Sequence, residues 1–368
     1  MYRPPAEPGM PIDAIDTPAL ILDLDAFEAN LDLMAALAGD AGVRIRPHAK
    51  THKSPVVAHL QMARGAVGQC VQKVAEAEAL AWGGVSDILV SNEVVSPRKL
   101  ARLAALAKIA RVAVCADHPR GVEAIEAAAA QAGVRLPVLV EIDVGAARCG
   151  VVPGPDVLVL ARKIAASRHL SFGGLQAYQG RAQHQRTPDE RSASIAAAAE
   201  LTGRTVEDLR GIGLDCAIVG GAGTGTFALE AASGVFNELQ VGSYVFMDAD
   251  YGRNQPAPPF RQSLFVLSTV MSTPNAAIAV VDAGLKALAV DSGMPLVWQR
   301  EGVTYVGASD EHGKLALAAG ATPPKLDERV MLVPGHCDPT VDRYDWYVGV
   351  RNRRVECLWP IAARGAMS

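Results

Sequence analysis

Residues able to do chemistry gather in five short stretches of this chain, and each stretch suggests its own chemistry. The first, VRIRPHAKTHK, sets Arg46, His48, Lys50, His52 and Lys53 in one run. Composition alone allows a solvated basic loop. The chemical alternative is a lysine kept neutral by its surroundings, whose amine can form a Schiff base. VEIDVGAARCG places Glu141 and Asp143 at alternate positions with Arg148 following, and GLQAYQG offers Gln176, Tyr178 and Gln179 with His184 just beyond. Residues two apart on a strand share a face, so the alternating members can point into one opening. Polar groups there are costly unless water, a ligand or one another satisfies them.

IVGGAGTGT is the candidate anion site. Gly220, Gly221 and Gly223 permit backbone angles that let successive N–H groups converge on a phosphate, and Thr224 adds a hydroxyl. The spacing is not GxGxxG and no GK[ST] ending follows, so one phosphate suits the turn better than a dinucleotide or a triphosphate. A purely structural glycine turn is the plain alternative. The last stretch, VPGHCDPT, holds His336, Cys337 and Asp338 side by side. If extended, it turns His336 and Asp338 one way and Cys337 the other. That pairs one nitrogen and one oxygen donor, a loose site suited to Mg²⁺ or Mn²⁺, with Zn²⁺ also able to bind. A turn cap at Asp338 beside a hydrogen-bonded His336 explains the same residues without a metal.

Something must hold these stretches together. Residues 20–255 alternate short β-like runs with alanine-rich helical segments, beginning with ALILDL as the first strand. About eight strand–helix units joined by Gly, Asp and Asn predict a parallel sheet closed into a (β/α)₈ barrel. In a barrel, chemistry sits at the carboxyl-terminal strand ends, where most of these stretches fall. Residues 256–368 lose the helical texture. SLFVLSTVMS, RVMLVPG, WYVGVR and VECLWP read as a mainly antiparallel β domain that carries GHCDPT. The proline-rich residues 1–19 are expected to join that domain.

A chain of 368 residues, half of them apolar and 20% charged, can bury a large core and has no disordered texture. Its formal charge of −4 gives no footing for a nucleic-acid partner. Apolar runs are interrupted well before a membrane-spanning length, and no signal-peptide pattern opens the chain. Six scattered cysteines without a CxxC fit reduced thiols and a cytoplasmic location.

The blocks RPHAKTHK, EIDVGAARCG, LQAYQG, GGAGTGT, NELQVGSYVFMDADYG, DEHG and VPGHCDPT together resemble the D-threonine aldolase and D-serine dehydratase-like family. This family belongs to the fold-type III (alanine-racemase-like) pyridoxal-phosphate enzymes, and the blocks run from residue 16 to about 365. The resemblance implies pyridoxal 5′-phosphate as cofactor, with Lys50 as the Schiff-base lysine and Arg148 and Tyr178 along its ring. It implies a phosphate held by Gly221, Gly223, Thr224, Ser243 and Tyr244. His184 is expected at the substrate hydroxyl, with His52, Gln176, Asp310 and His312 also at the substrate. His336 and Asp338 match the family's ligands for a divalent cation, and the family forms homodimers with shared sites. Members carrying His-x-Cys at this slot resemble D-serine dehydratases and zinc; His-x-Asp, found here, resembles the aldolases and Mg²⁺ or Mn²⁺. The implied activity is cleavage of D-threonine and related D-3-hydroxyamino acids to glycine and an aldehyde. Alternatives are a 3-hydroxy-D-aspartate aldolase, a dehydratase and a non-catalytic carrier of the cofactor.

Overall fold

A computed structural model describes residues 3–368, which fold around two sheets. The chain lays down β1 (Ala19–Asp23) and α1 (Leu24–Asp40), then winds eight parallel strands in sequence. These are β2 (Arg44–Ile45), β3 (Gln69–Val71), β4 (Asp87–Glu93), β5 (Arg111–Ala116), β6 (Leu136–Glu141), β7 (Leu170–Gln176), β8 (Ile218–Gly221) and β9 (Glu238–Leu239). The expected barrel is present and closed. Arg44 pairs with Glu238 and Ile45 with Leu239 on one side of β2. On the other, His48 bridges to Cys70, backed by bonds from Ala49 N–H to Cys70 O (2.7 Å) and Cys70 N–H to Pro47 O (2.8 Å). The ring therefore shuts immediately before Lys50, which places that lysine on its rim.

Helices α2 (Pro55–Met62), α3 (Val74–Trp82), α4 (Pro97–Leu106), α5 (Pro119–Ala132), α6 (Pro155–Ala166), α7 (Pro188–Gly211) and α8 (Phe227–Ala232) return between strands. Most open on proline, whose fixed φ and missing N–H suit a first helical turn. In α5, Val122, Ile125 and Ala129 recur at helical spacing on the buried face, and Gly133 ends the helix in the left-handed region at φ 68°. Inside the ring, Cys70, Leu89, Cys115 and Leu139 fill the lumen. Beneath them Arg46 is buried against Glu238 Oε1 (2.8 Å) and Asp87 Oδ1 (2.6 Å). Lys53 likewise serves structure, pairing with Asp342 (2.8 Å) and Glu76 (3.2 Å). The basic stretch thus divides, and only its middle faces the barrel mouth.

The second sheet adds β10 (Leu264–Asn275), β11 (Ile278–Val281), β12 (Leu296–Val297), β13 (Val303–Ala308), β14 (Gly313–Leu317), β15 (Arg329–Val333), β16 (Trp346–Arg351) and β17 (Arg354–Pro360). A short helix, α9 (Cys337–Val341), follows β15. The pairing is antiparallel, as expected, with one exception. β1 lies between β10 and β16, antiparallel to the first and parallel to the second. ALILDL is therefore not the first barrel strand, and the barrel begins at β2. The run is apolar and buried on both faces, which suits a central strand of either sheet equally. Leu20 and Leu22 face the core shared with the barrel, while Ala19 and Ile21 pack with Phe265 and Val348 on the far side. Ahead of β1, Pro11 forms an isolated bridge to Arg354 at the start of β17. Among the described residues, no helix is long and apolar enough to cross a membrane.

Because Leu20 is fully buried at this junction, Leu20→Ala should cost about 2–5 kcal/mol of stability. A lowered midpoint in urea unfolding, for the β domain and barrel together, is the expected reading.

Candidate active site

A cavity of about 560 Å³ opens at the carboxyl-terminal strand ends, walled on one side by residues following β9 and by the start of α9. Lys50 rises into it, with Nζ 2.8 Å from Asp338 Oδ2. The Asp338 charge raises the lysine's pKa. Burial alone would raise Asp338, but Lys50, His336 and Thr51 together outweigh it and hold the carboxyl well below its usual range. The sequence suggests a lysine kept neutral by its surroundings; here the amine sits against a carboxylate instead. A carboxylate delivered by the β domain keeps this amine charged.

Two residues earlier, His48 faces the same space. Its Nε2 lies 2.9 Å from Gln72 Nε2 and 3.3 Å from Ser91 Oγ, so it accepts from the amide. Burial, then the Lys50 charge, presses its pKa well down, which leaves a neutral ring. Beyond Lys50 the chain turns, and His52 points into the core instead. Its Nδ1 accepts Ser54 N–H (3.1 Å), its Nε2 is 3.4 Å from Gln69 Oε1, and burial lowers it to about 4. His52 does not line the cavity, contrary to its expected place at the substrate.

Gln176, at the end of β7, exchanges two amide bonds with Gln240 (2.7 and 2.8 Å), a closed pair facing the cavity. Tyr178 lines the next stretch of wall, and the Arg148 guanidinium stands 5.6 Å from its ring centroid. Burial and neighbouring Glu93 lift Glu141 to about 9. Arg148 also stands 3.9 Å from Glu141.

Two turns sit side by side at the cavity wall, Ala222 to Thr224 after β8 and Gly242 with Ser243 after the neighbouring β9. A Cβ at Gly223 would stand 2.5 Å from Gln183 Oε1, and one at Gly242 would stand 2.4 Å from Thr51 Oγ1, so both turns stay bare. Thr224 is buried, yet its Oγ1 has no hydrogen-bond partner. Buried hydroxyls are rarely left so, and an anionic oxygen beside the bare turns would satisfy it. The group held by this family's phosphate turn fits here. Two expected residues do not reach the cavity. Gly221 ends β8 behind the turn. Tyr244 is directed into the core by the 3₁₀ turn Ser243–Val245, where its hydroxyl accepts from Gln61 (3.1 Å) and its ring packs on Phe260.

His184 lines the mouth, its Nδ1 2.7 Å from Asp250 Oδ2. That bond raises the histidine's pKa. Burial would raise Asp250, but bonds from His184 and Arg186 bring it down to about 2. Across the cavity, His336 and Asp338 both face inward while Cys337 is fully buried. The expected split holds, but not by strand alternation. His336 is the extended residue before α9, and the helix then carries Cys337 inward, its N–H bound to Asp248 Oδ2 (2.9 Å). His336 Nδ1 lies 2.7 Å from Asp291 Oδ2. One imidazole and one carboxylate make a hard donor set with most positions of a divalent ion left to water or substrate, and they fit such an ion. Among the described residues, no group of three or more His, Cys, Asp or Glu is arranged to hold one. Asp310 and His312 sit exposed on the β13–β14 turn, outside this cavity.

Sequence reasoning did not single out His48, Gln240, Asp250 or Asp291 for the site. The alternation that led to Lys50 also runs through His48, two residues earlier, and could have found it. Asp250 and Asp291 carry no local signal, because they act on histidines far away in the chain.

The geometry agrees with known proteins. The family model described as "Alanine racemase, N-terminal domain" matches residues 22–250, and "Putative serine dehydratase domain" matches residues 263–350. The chain is 48% identical to the 3-hydroxy-D-aspartate aldolase of Paracoccus denitrificans (strain Pd 1222), covering 99% of this chain and 96% of that one. It is 46% identical to the D-threonine aldolase of an Arthrobacter species, over 98% and 96% of the two. The crystal structure of D-threonine aldolase from Filomicrobium marinum superposes with a TM-score of 0.98 at 51% identity, over 100% of both chains. The chain belongs to the fold-type III, alanine-racemase-like pyridoxal-phosphate enzymes, among those that act on D-3-hydroxyamino acids by aldolase or dehydratase chemistry.

Proposed function

We propose that this enzyme cleaves D-3-hydroxyamino acids, D-threonine among them, to glycine and an aldehyde by a retro-aldol reaction. One observation carries the reading. Lys50, a carboxylate-backed His184 and the His336–Asp338 pair face a single cavity. Lys50 would hold pyridoxal phosphate, with Arg148 and Tyr178 along its ring and Thr224 and Ser243 at its phosphate. The bound cofactor supplies an electron sink for the bond broken at Cα. His336 and Asp338 would hold Mn²⁺ or Mg²⁺, which lowers the pKa of a nearby hydroxyl.

The chain's own part is proton handling. His184 takes the proton of the substrate's β-hydroxyl through Nε2, while Asp250 fixes the ring by its bond to Nδ1. The Cα–Cβ bond then opens, the hydroxyl oxygen becomes the aldehyde oxygen, and Cα gains a proton to complete glycine. A dehydratase would instead remove the α-proton and expel the hydroxyl. The burial of Cys337 leaves only nitrogen and oxygen donors at the slot, which favours the aldolase. We further propose a cytoplasmic homodimer, in which the exposed Asp310 and His312 of each chain reach the other's cavity.

Incubating the protein with D-threonine, cofactor and Mn²⁺ should release glycine and acetaldehyde in equal amounts. A 2-oxo acid as the main product would establish the dehydratase instead. Asp250→Asn should lower kcat on the order of tenfold or more, because the imidazole loses its fixed orientation. The Asp250 charge raises the His184 pKa. Its removal should therefore shift the acidic limb of the kcat profile to lower pH. An unmoved limb would assign the proton to another group.

A further inference from the structure

Two carboxyl groups next to Arg148 take no part in the chemistry proposed for the cavity. Glu93 closes β4 and Glu141 closes β6, with β5 between those strands. Glu141 follows Leu139 by two residues, so its side chain extends the column that fills the lumen. Glu141 is buried, and both carboxyl oxygens of Glu93 are buried without a hydrogen-bond partner. The two side chains nevertheless stand within hydrogen-bonding reach of each other.

Their surroundings offer little to balance two negative charges. From β5, burial, then Glu141 and Glu93, push the Cys115 thiol well up, so it stays neutral. Asp117, just after that strand, is a third acidic side chain and accepts Gly150 N–H (3.1 Å). In the loop after β6, Asp143 accepts the N–H groups of Gly145 (2.9 Å) and Ala147 (3.0 Å). The Cys149 thiol there is pushed up to about 11 by burial and by Glu93. Among the described residues, Arg148 is the one cation paired with either glutamate, at 3.9 Å from Glu141. Two adjacent buried carboxylates do not both ionise against a single cation. Ionised, they would also be acceptors only, each leaving the other without a donor. One retained proton removes both conflicts. It makes an O–H···O bond that is strong because one partner is charged, and it leaves one negative charge to match Arg148.

We propose that Glu93 and Glu141 share one proton and act together as a positioning pair for Arg148, holding its guanidinium over Tyr178 and beside the cofactor ring. The proposal rests on Arg148 lying along that ring. Neither glutamate lines the cavity, so both act through the arginine. Loss of the shared proton places a second negative charge behind Arg148. That charge draws the guanidinium away from the ring and loosens the cofactor. Glutamine at either position keeps a hydrogen bond within the pair but removes the proton that can be lost.

The test follows the holoenzyme by infrared difference spectroscopy and by cofactor affinity as pH rises. At neutral pH, the wild type minus Glu93→Gln should show the carbonyl stretch of a protonated carboxyl group, and so should the wild type minus Glu141→Gln. That band should fade as pH passes about 9, where Glu141 gives up its proton. Arg148→Met should move the fading to higher pH, because the guanidinium favours the ionised form. The apparent dissociation constant of pyridoxal phosphate, read from visible absorbance, should rise roughly tenfold in the wild type over the same span, the scale of one charge-assisted hydrogen bond. Glu93→Gln, whose amide donates permanently, should abolish that rise. Glu141→Gln should weaken the cofactor about tenfold already at neutral pH, with the direct partner of Arg148 gone. Absence of the carboxyl band from both difference spectra would overturn the shared proton. The band with an undiminished alkaline rise in Glu93→Gln would overturn the positioning role. Both readouts proceed without turnover, so a failure to release glycine would count against the retro-aldol reading alone.

Discussion

Lys50→Ala should abolish the visible absorbance of covalently held cofactor and reduce turnover at least about a thousandfold. The barrel's closure places Lys50 on the rim of the cavity that the bare turns at Thr224 and Ser243 also line. Lys53 cannot replace it, because Asp342 and Glu76 hold that side chain in the core. Removing Lys50 also strips Asp338 of the cation that lowers its pKa. The fold should survive, since the amine pairs only with a carboxylate that lines the cavity. Absorbance titration with added cofactor, followed by borohydride trapping and mass measurement, checks the result. Covalent capture in the variant would move the role to another lysine.

Asp338→Ala should keep the cofactor band while lowering metal-dependent cleavage on the order of a hundredfold. The substitution leaves His336, still oriented by Asp291, as the lone donor at the slot. It also removes the charge that raises the Lys50 pKa. The lysine should therefore react with free cofactor at lower pH than in the wild type. Mn²⁺ binding by electron paramagnetic resonance and glycine release with and without chelator form the check. Residual activity in the variant should be insensitive to chelator. Equal chelator inhibition of variant and wild type would remove Asp338 from the metal.

Much of this site was legible in the sequence because its signals are local. Strand–helix alternation marks the barrel, and the rim residues follow strand ends. Glycines mark the bare turn, and the slot around Cys337 shows its donors by type. What escaped depended on where the chain bends. His48, Lys50 and His52 share one parity in sequence, but the turn at residues 49–52 breaks it. His48 therefore reaches the cavity and His52 the core. Tyr244 is lost to the cavity in the same way, through the 3₁₀ turn after Gly242. The orienting carboxylates escaped for another reason: Asp250 acts on His184 and Asp291 on His336 across long stretches of chain. An apolar run such as ALILD records its burial on both faces but not its neighbours.

The placement of that strand has a consequence for biosynthesis. Its antiparallel neighbour follows roughly 240 residues later in the chain, and its parallel neighbour later still. At translation rates of about 5–20 residues per second, Leu20 and Leu22 emerge tens of seconds before either edge can be paired. The barrel can close meanwhile, leaving a greasy ribbon tethered to a finished ring. Any nascent chain that stops before Trp346 keeps that ribbon's β16-facing edge open to another chain. Stalled or truncated products of this gene are thus expected to clump through their amino termini, and full-length synthesis is what retires the hazard.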